Sequence, residues 1–322
     1  EKNKDKDKDK DKDKDKDVET FSFFLPLNND LKLKKPDQSN LFNFLLPSLT
    51  DTNKKNEEKS KKDLEQFKKN KEYRENLING EIIDYDIKDL DSLISLANNE
   101  SIINNGKQYN FDIKSLVKMK PSLNKLKNLI GMKDVKNKLF YQIIFYLQGL
   151  DISNKDMLHT VIEGSPGVGK TELAKILAEI YNSMGILSKG HFTVAKRSDL
   201  IGSYLGSTAI KTGKILESSI GGVLFIDEAY SLGNEEGKDI YSKECIDTIN
   251  QFLSENREDF ICIIAGYKES LEKCFFKYNP GLERRFPWKY SINEYTPEEM
   301  MLIFKKIVKD NNWKEEIKLD FF

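Results

Sequence analysis

The sequence predicts an α/β fold, in which a five-stranded parallel sheet lies between helices. Three observations support this prediction. Five short segments have strand length, helix-like sequence follows most of them, and three of the segments (160–163, 222–226 and 260–265) are apolar. Strands that are buried on both faces have this continuous apolar character, and alternating strands and helices are typical of a parallel sheet. The predicted strands are residues 160–163, 191–196, 222–226, 260–265 and 288–292.

The first 120 residues carry few of these signals. Residues 4–17 are seven Lys-Asp dipeptides with no apolar surface to offset the entropy of ordering, so we predict a disordered low-complexity tail over residues 1–60. Residues 21–26 and 42–47 share the pattern Phe-x-Phe-(Phe/Leu)-Leu-Pro. One interpretation is a pair of docking peptides for a partner protein. We favour the alternative, in which the pattern arises from composition by chance or the segments pack against the folded domain. Apolar residues at helical spacing predict a helical accessory region over residues 61–120.

Composition argues against several classes of function. The 52 Lys and Arg residues nearly balance the 53 Asp and Glu residues, so the net charge of −1 gives no overall attraction to nucleic acid or membranes. No apolar run reaches the ~18 residues of a membrane-spanning helix, and no secretory signal is visible. Two histidines and three cysteines without zinc-ligand spacing argue against a metal site built from them.

Two further expectations concern compartment and completeness. We expect the three cysteines to be reduced, which places the protein in the cytoplasm or another reducing compartment. The sequence begins with Glu1 instead of Met, and it stops at Phe322 before the predicted domain is complete. We therefore expect a fragment of a longer protein.

A phosphate-binding loop is the most specific motif of the chain. The stretch Gly164-Ser165-Pro166-Gly167-Val168-Gly169-Lys170-Thr171 matches G-x-x-x-x-G-K-[ST] in full, between an apolar strand and an amphipathic helix. Glycines let successive N–H groups face one centre, and the N-terminus of the helix adds its dipole. Lys170 would reach the β- and γ-phosphates of ATP, and the Thr171 hydroxyl would bind Mg²⁺. An incidental lysine after a glycine-rich turn is the weaker alternative, so we predict a P-loop NTPase fold.

Two carboxylates follow the predicted strand 222–226. Asp227 would lie at the carboxyl edge of the sheet, where open α/β sheets bind ligands. It would hold Mg²⁺ directly or through water, while Glu228 would orient or deprotonate the attacking water. An Asp-Glu pair after a single strand is usually a polar turn. Its place downstream of the phosphate loop, with one strand and two helices between, makes ATP hydrolysis the better interpretation.

The phosphate loop and the Asp-Glu pair together resemble the AAA+ superfamily. Other segments resemble its CbbX/CfxQ/SpoVK-type group, which includes the red-type Rubisco activase CbbX. Within that group, the residues of these segments are most similar to homologues encoded by giant DNA viruses. The resemblance covers residues 121–322 and implies an AAA+ αβα core over 121–294 and the start of a helical lid over 295–322. A second sensor arginine in the lid is not assigned. The segments are LIGMKDVK (129–136), LIGSYLGSTA (200–209), GGVLFIDEAY (221–230), AGY (265–267) and NPGL (279–282).

The resemblance also implies roles for residues outside these two motifs. Arg285 corresponds to the arginine finger that acts on the nucleotide of the neighbouring subunit, and Arg284 is a possible second donor. A guanidinium suits this role because it is always charged and offers a planar fork to phosphate. Without the resemblance, both would be interpreted as solvated surface charges. Tyr267 stands where many AAA+ proteins have a polar sensor, and its hydroxyl is a candidate for that role.

Tyr204-Leu205-Gly206 corresponds to the aromatic–hydrophobic–glycine pore loop that grips a polypeptide in the channel of a ring. An aromatic side chain beside a glycine can insert between substrate side chains without requiring a particular sequence. The alternative is a tyrosine that covers the core at a loop.

The leading hypothesis is a chaperone-like AAA+ ATPase that forms a ring, expected to be a homohexamer, and remodels or threads a protein substrate. The alternative is an AAA+ nucleic-acid-associated motor or loader, against which the absence of Lys and Arg between Asp199 and Ile210 argues. A third hypothesis is a non-hydrolysing scaffold, which would not need Lys170, Asp227 and Glu228 together. The sequence does not identify the client protein, and no membrane partner is expected.

Overall fold

A computed structural model of the chain describes residues 58–154, 157–204, 206–256, 258–279 and 281–313. The Lys-Asp tail, both Phe-x-Phe segments and Leu205 of the predicted pore loop lie outside the described residues, as do residues 314–322 of the predicted lid. Within the described ranges, no helix has the length and apolar character needed to cross a bilayer.

The sheet contains five parallel strands, which confirms the predicted α/β architecture. In spatial order they run β2-β3-β4-β1-β5. Thr160 at the start of β1 pairs with Ile263 of β4 on one side and Trp288 of β5 on the other. The central strands β3 and β4 are buried along their whole length, whereas Val194 on the edge strand β2 is 48% exposed. The strands are β1 (Thr160–Gly164), β2 (Phe192–Ala195), β3 (Val223–Ile226), β4 (Ile261–Gly266) and β5 (Trp288–Ile292).

Helices connect the strands and precede the first of them. In the described part of the chain the helices are α1 (58–75), α2 (Leu90–Leu96), α3 (Glu100–Ile103), α4 (Ile113–Lys127), α5 (Lys133–Leu147), α6 (Asp151–Asn154), α7 (Lys170–Ser183), α8 (Arg197–Leu200), α9 (Ser207–Ser218), α10 (Ile240–Glu255), α11 (Lys268–Cys274) and α12 (Pro297–Asp310). Short 3₁₀ turns cover Leu77–Asn79, Ala229–Leu232, Phe276–Tyr278 and Glu283–Arg285.

A hydrophobic core lies on each face of the sheet. Successive strand residues point to opposite faces, so Ile162 of β1 joins the core that contains α4, α5 and α7. Its neighbour Val161 joins the core that contains α9 and α10. Both faces being covered explains why the central strands contain hardly any polar residue.

Helix α4 passes through Pro121, the residue at which the sequence predicts the nucleotide-binding core to begin. Pro is common in the first turn of a helix, and inside one it costs about 3 kcal/mol. Here the buried side chains of Leu116 and Met119, ahead of the proline, continue the apolar stripe of Leu123 and Leu126. Burial of that stripe outweighs the lost hydrogen bond. The division of the chain into four parts stays a prediction, and its boundary at 121 falls inside a helix.

The accessory region is held to the core by a buried arginine. Arg74 at the end of α1 donates to the Asp151 carboxylate over 2.5 Å and to the Tyr146 carbonyl over 3.0 Å. The side chains of Arg74 and Asp151 are only 9% and 13% exposed. A buried charge needs such partners, because removing one would leave the other uncompensated.

A buried histidine directly ahead of β1 should make stability depend on pH. His159 is fully buried, and its Nδ1 accepts from the Cys262 N–H over 3.1 Å. Burial, with the Arg285 charge nearby, lowers the pKa of His159 from 6.5 to about 3. Because the unfolded chain takes up this proton at a higher pH than the folded one, stability is lost as the pH falls from 6.5 towards 3. At pH 5 we expect a loss of about 2 kcal/mol in the free energy of unfolding.

Urea unfolding at pH 7 and pH 5 measures this loss. His159→Asn keeps a hydrogen-bond acceptor but cannot titrate, so it should reduce the pH dependence by that amount. Equal pH slopes for the two proteins would contradict the assignment.

Candidate nucleotide-binding and catalytic site

The phosphate loop joins β1 to α7, and its backbone requires two of its glycines. Gly167 has φ 76° and Gly169 has φ 93°, in the left-handed region that side chains disfavour. A Cβ on Gly169 would also lie 3.1 Å from the Met132 side chain. Helix α7 begins immediately afterwards at Lys170, so its free N–H groups and dipole face the loop. Val168 is buried and anchors the loop to the core.

Lys170 places its ammonium inside the loop. Its Nζ donates to the carbonyls of Gly164 over 2.8 Å and Ser165 over 2.7 Å. Partial burial lowers the pKa of Lys170, whereas the carboxylates of Asp227 and Glu228 act in the opposite direction. The ammonium is thus partly desolvated next to negative charge. That environment strengthens its interaction with an anionic ligand.

The structure brings the acidic pair to the phosphate loop. The Thr171 hydroxyl donates to Asp227 Oδ2 over 3.2 Å, although the two residues are far apart in the sequence. The other carboxylate oxygen of Asp227 accepts from the Glu228 N–H over 3.0 Å. Since β3 ends at Ile226, Asp227 and Glu228 lie at the carboxyl edge of the sheet. Lys170, Thr171, Asp227 and Glu228 therefore share one cleft.

The backbone at Glu228 has an unusual conformation. This residue has φ 50° and ψ 45°, which few non-glycine residues adopt. Its carbonyl accepts from the Ser231 N–H over 2.7 Å, so the 3₁₀ turn that follows fixes the strained residue. The side chain is exposed to the cleft. Strain of this kind is often found at functional sites, where the surrounding structure holds it in place.

The cleft has a volume of about 430 Å³, within the range of small-ligand sites. Sequence reasoning assigned no role to four of its lining residues: Glu172, Lys175, Tyr230 and Gly266. Its complete lining is Pro166, Gly167, Gly169, Lys170, Thr171, Glu172, Lys175, Asp227, Glu228, Tyr230, Gly266 and Tyr267.

The segment after β5 holds the loop from outside, which sequence reasoning also missed. The Tyr295 hydroxyl donates to the Val168 carbonyl over 2.9 Å. The Ser165 hydroxyl donates to the Glu294 carboxylate over 3.0 Å. No local pattern signals these contacts, because more than a hundred residues separate the partners along the chain.

The two candidate finger arginines lie apart from this cleft, whose described lining includes neither. Arg285 is the last residue of the turn Glu283–Arg285, and its side chain is partly buried. Its Nε donates to the Asn250 carbonyl over 3.1 Å. Arg284 is exposed.

The candidate pore loop ends in a tight turn ahead of α9. The Tyr204 side chain is 78% exposed. The Ser207 hydroxyl accepts from the Tyr204 N–H over 3.1 Å and donates to its carbonyl over 2.6 Å. Gly206 has φ 79°, and α9 starts directly after it at Ser207. Tyr204 therefore projects from a braced turn, while Leu205 lies outside the described residues.

Comparisons with known proteins identify the domain. The family described as "ATPase family associated with various cellular activities (AAA)" matches residues 160–290. The putative cfxQ-like protein R730 of Acanthamoeba polyphaga mimivirus is 47% identical over 218 residues, which are 66% of this chain and 54% of that protein. The CfxQ homolog of Pyropia yezoensis is 34% identical over 227 residues, 68% of this chain and 73% of the relative.

A third relative carries a functional name. The chloroplastic ribulose bisphosphate carboxylase/oxygenase activase of Cyanidioschyzon merolae is 37% identical over 195 residues, 58% of this chain and 66% of that protein. The chain thus spans little more than half of the mimivirus protein and just under two thirds of the activase. Together with the parallel sheet and the shared cleft of loop and acidic pair, these matches show that the chain belongs to the AAA family of ATPases, in its CbbX/CfxQ/SpoVK-type group.

Proposed function

We propose that this protein hydrolyses ATP with Mg²⁺ in a homohexameric ring and uses the energy to remodel or thread a protein substrate through the central pore. Membership of the AAA family of ATPases supports the proposal that the protein hydrolyses ATP. The proposal that it threads a protein substrate rests on Tyr204, which is exposed on a turn fixed by hydrogen bonds to Ser207.

The cleft fits a magnesium–nucleoside triphosphate. Mg²⁺ prefers hard oxygen ligands, and the Thr171 hydroxyl and Asp227 carboxylate lie 3.2 Å apart. The open curl at Gly167, where an added Cβ would meet no atom within 4 Å, leaves room for phosphates beside the backbone. Lys170 and the N-terminus of α7 supply positive charge at the same place.

The residues of the chain divide the work of phosphoryl transfer to water. Bound magnesium would neutralise charge that develops on the phosphates. Thr171 and Asp227 would hold that ion, and Lys170 would hold the terminal phosphates. Glu228 would orient the attacking water and accept its proton. Arg285 of one subunit would approach the nucleotide of the next, with Arg284 as a possible second donor.

A protein substrate fits the pore loop better than a nucleic acid does. Between Asp199 and Ile210 the described residues include no Lys or Arg. The nearby Lys211 ammonium donates to the carbonyls of Ser198 and Ile201, so backbone groups occupy two of its three hydrogen bonds. An exposed aromatic on an uncharged turn is suited to gripping polypeptide side chains and lacks the charge that phosphate binding requires.

Substituting Tyr204 with alanine tests the threading step. Tyr204 lies outside the cleft, so Tyr204→Ala should keep the nucleotide affinity of the wild type. We expect it to lose the stimulation of ATPase activity by α-casein, an unfolded protein probe, because the loop no longer grips the chain. The steady-state ATPase rate with and without casein, together with the affinity for a fluorescent ATP analogue, measures both effects.

Two variants serve as controls. Tyr204→Phe retains the aromatic ring and should retain the stimulation. Tyr141→Ala removes another exposed tyrosine, 68% exposed on α5, and should behave as the wild type. Full stimulation of Tyr204→Ala, or stimulation by single-stranded DNA in place of casein, would count against protein threading.

A further inference from the structure

The position of the Glu228 side chain is not determined by its own backbone contacts. Its carbonyl and N–H are engaged with Ser231 and Asp227, but its carboxylate is exposed in the cleft. A general base must be held within hydrogen-bond reach of the water it deprotonates. Another residue is therefore needed to orient this carboxylate, and the Asp-Glu pair itself supplies none.

Tyr230 lies two residues further on, within the 3₁₀ turn Ala229–Leu232 and on the wall of the same cleft. Its ring packs against the end of β4. A Cβ added to Gly266 would lie 2.8 Å from Tyr230 Cδ1, so only glycine leaves room for the ring there. This explains why a glycine stands at the end of β4. The Tyr230 ring borders the space that a side chain at position 266 would fill, together with Leu271, whose side chain would lie 3.1 Å from such a Cβ.

A second tyrosine connects this wall to the phosphate loop. The rings of Tyr230 and Tyr267 have centroids 5.4 Å apart at an interplanar angle of 37°. Lys170 Nζ lies 5.4 Å from the centroid of the Tyr267 ring, a cation–π distance. The two rings thus form a continuous surface from the ammonium to the acidic pair. Tyr230 thus contacts two consecutive residues, Gly266 and Tyr267.

The electrostatic environment of the Tyr230 hydroxyl is consistent with a donor facing carboxylates. Burial raises the pKa of Tyr230, and the neighbouring Glu228 carboxylate raises it further. The phenol therefore keeps its proton. An ionised carboxylate only accepts hydrogen bonds, so the phenol is the partner that donates.

We propose that Tyr230 is the positioning residue of Glu228: its hydroxyl donates to one carboxylate oxygen and leaves the other free for the attacking water. This inference rests on the proposed ATP hydrolysis and names a residue to which the sequence analysis gave no role. Tyr230 acts through Glu228 and holds no part of the nucleotide. Its loss should therefore affect turnover and spare binding.

Tyr230→Phe tests the proposal, because it removes the hydroxyl and keeps the ring that packs on Gly266. A hydrogen bond to a charged group is worth enough to predict a fall in kcat of about tenfold or more, with KM and the affinity for a fluorescent ATP analogue nearly unchanged. In a Glu228→Gln background the same substitution should cause little further loss. Tyr141→Phe, on the exposed surface of α5, is the matched control and should match the wild type.

Gly266→Ala provides an independent variant. The added methyl group would displace the Tyr230 ring, so kcat should fall as in Tyr230→Phe, and the double variant should be no slower than the slower single one. A wild-type kcat in Tyr230→Phe would overturn the proposal, as would equal losses in kcat and affinity or a full second loss in the Glu228→Gln background. If the wild type itself does not hydrolyse ATP, the proposed function fails as well.

Discussion

Replacing Glu228 with glutamine should stop ATP hydrolysis while ATP stays bound. The amide keeps the size of the side chain but cannot accept a proton from water, and loss of a general base lowers kcat by about a hundredfold or more. Binding should persist, because Lys170, Thr171 and the glycine backbone form the phosphate site without Glu228. Phosphate release at steady state and equilibrium binding of a fluorescent ATP analogue measure the two properties separately.

Two control variants show that the effect of Glu228→Gln is specific to turnover. Lys170→Ala should lose binding itself, since the ammonium inside the loop is removed. Glu236→Gln changes an exposed acid in the loop before α10, outside the lining of the cleft, and should leave both properties unchanged. Normal turnover in Glu228→Gln would exclude Glu228 as the catalytic base.

Arg285→Ala should reduce kcat strongly, and the loss should be repaired by a neighbouring subunit. An arginine finger is worth on the order of a thousandfold in kcat. Because Arg285 lies outside the cleft of its own subunit, Arg285→Ala and Lys170→Ala chains should complement each other. The first binds ATP and lacks the finger, while the second lacks the ATP site and keeps the finger. In a random one-to-one mixture about one neighbouring pair in four is complete, so about a quarter of the wild-type rate should return.

A second mixture of variants shows whether the recovered ATPase rate comes from Arg285 acting across the interface between subunits. Lys170→Ala mixed with Glu228→Gln should stay inactive, because each chain lacks part of its own cleft and neither can supply it to a neighbour. Absence of recovery in the Arg285→Ala mixture, when labelled subunits exchange, would show that the arginine does not act in trans. Testing Arg284→Ala in the same way identifies which arginine is the finger.

The sequence predicted the parts of this protein that local backbone chemistry encodes. Apolar runs predicted β1, β3 and β4, and the alternation of strand-like and helix-like segments predicted β2 and β5. The spacing of glycines ahead of Lys170 predicted the loop, because left-handed backbone conformations at Gly167 and Gly169 need glycine whatever surrounds them. Ligands of parallel sheets bind at the carboxyl ends of the strands, and this rule correctly predicted that Asp227 lies near the loop.

Other features depend on contacts between distant parts of the chain. The sequence predicted that the nucleotide-binding core begins at Pro121, yet α4 continues through this residue because a buried stripe on both sides is worth more than one hydrogen bond. The sequence assigned no role to Gly266. Its role appears only when the Tyr230 ring is seen to border the space of its missing side chain.

The sequence by itself determined the fold class, the phosphate loop and the acidic pair, since each depends on residue type and spacing along a short segment. The tertiary structure decided which side chains surround Glu228, how Tyr295 holds the phosphate loop and where Arg285 lies relative to the cleft. These arrangements depend on how strands and helices pack against one another, and packing joins residues that no local pattern connects.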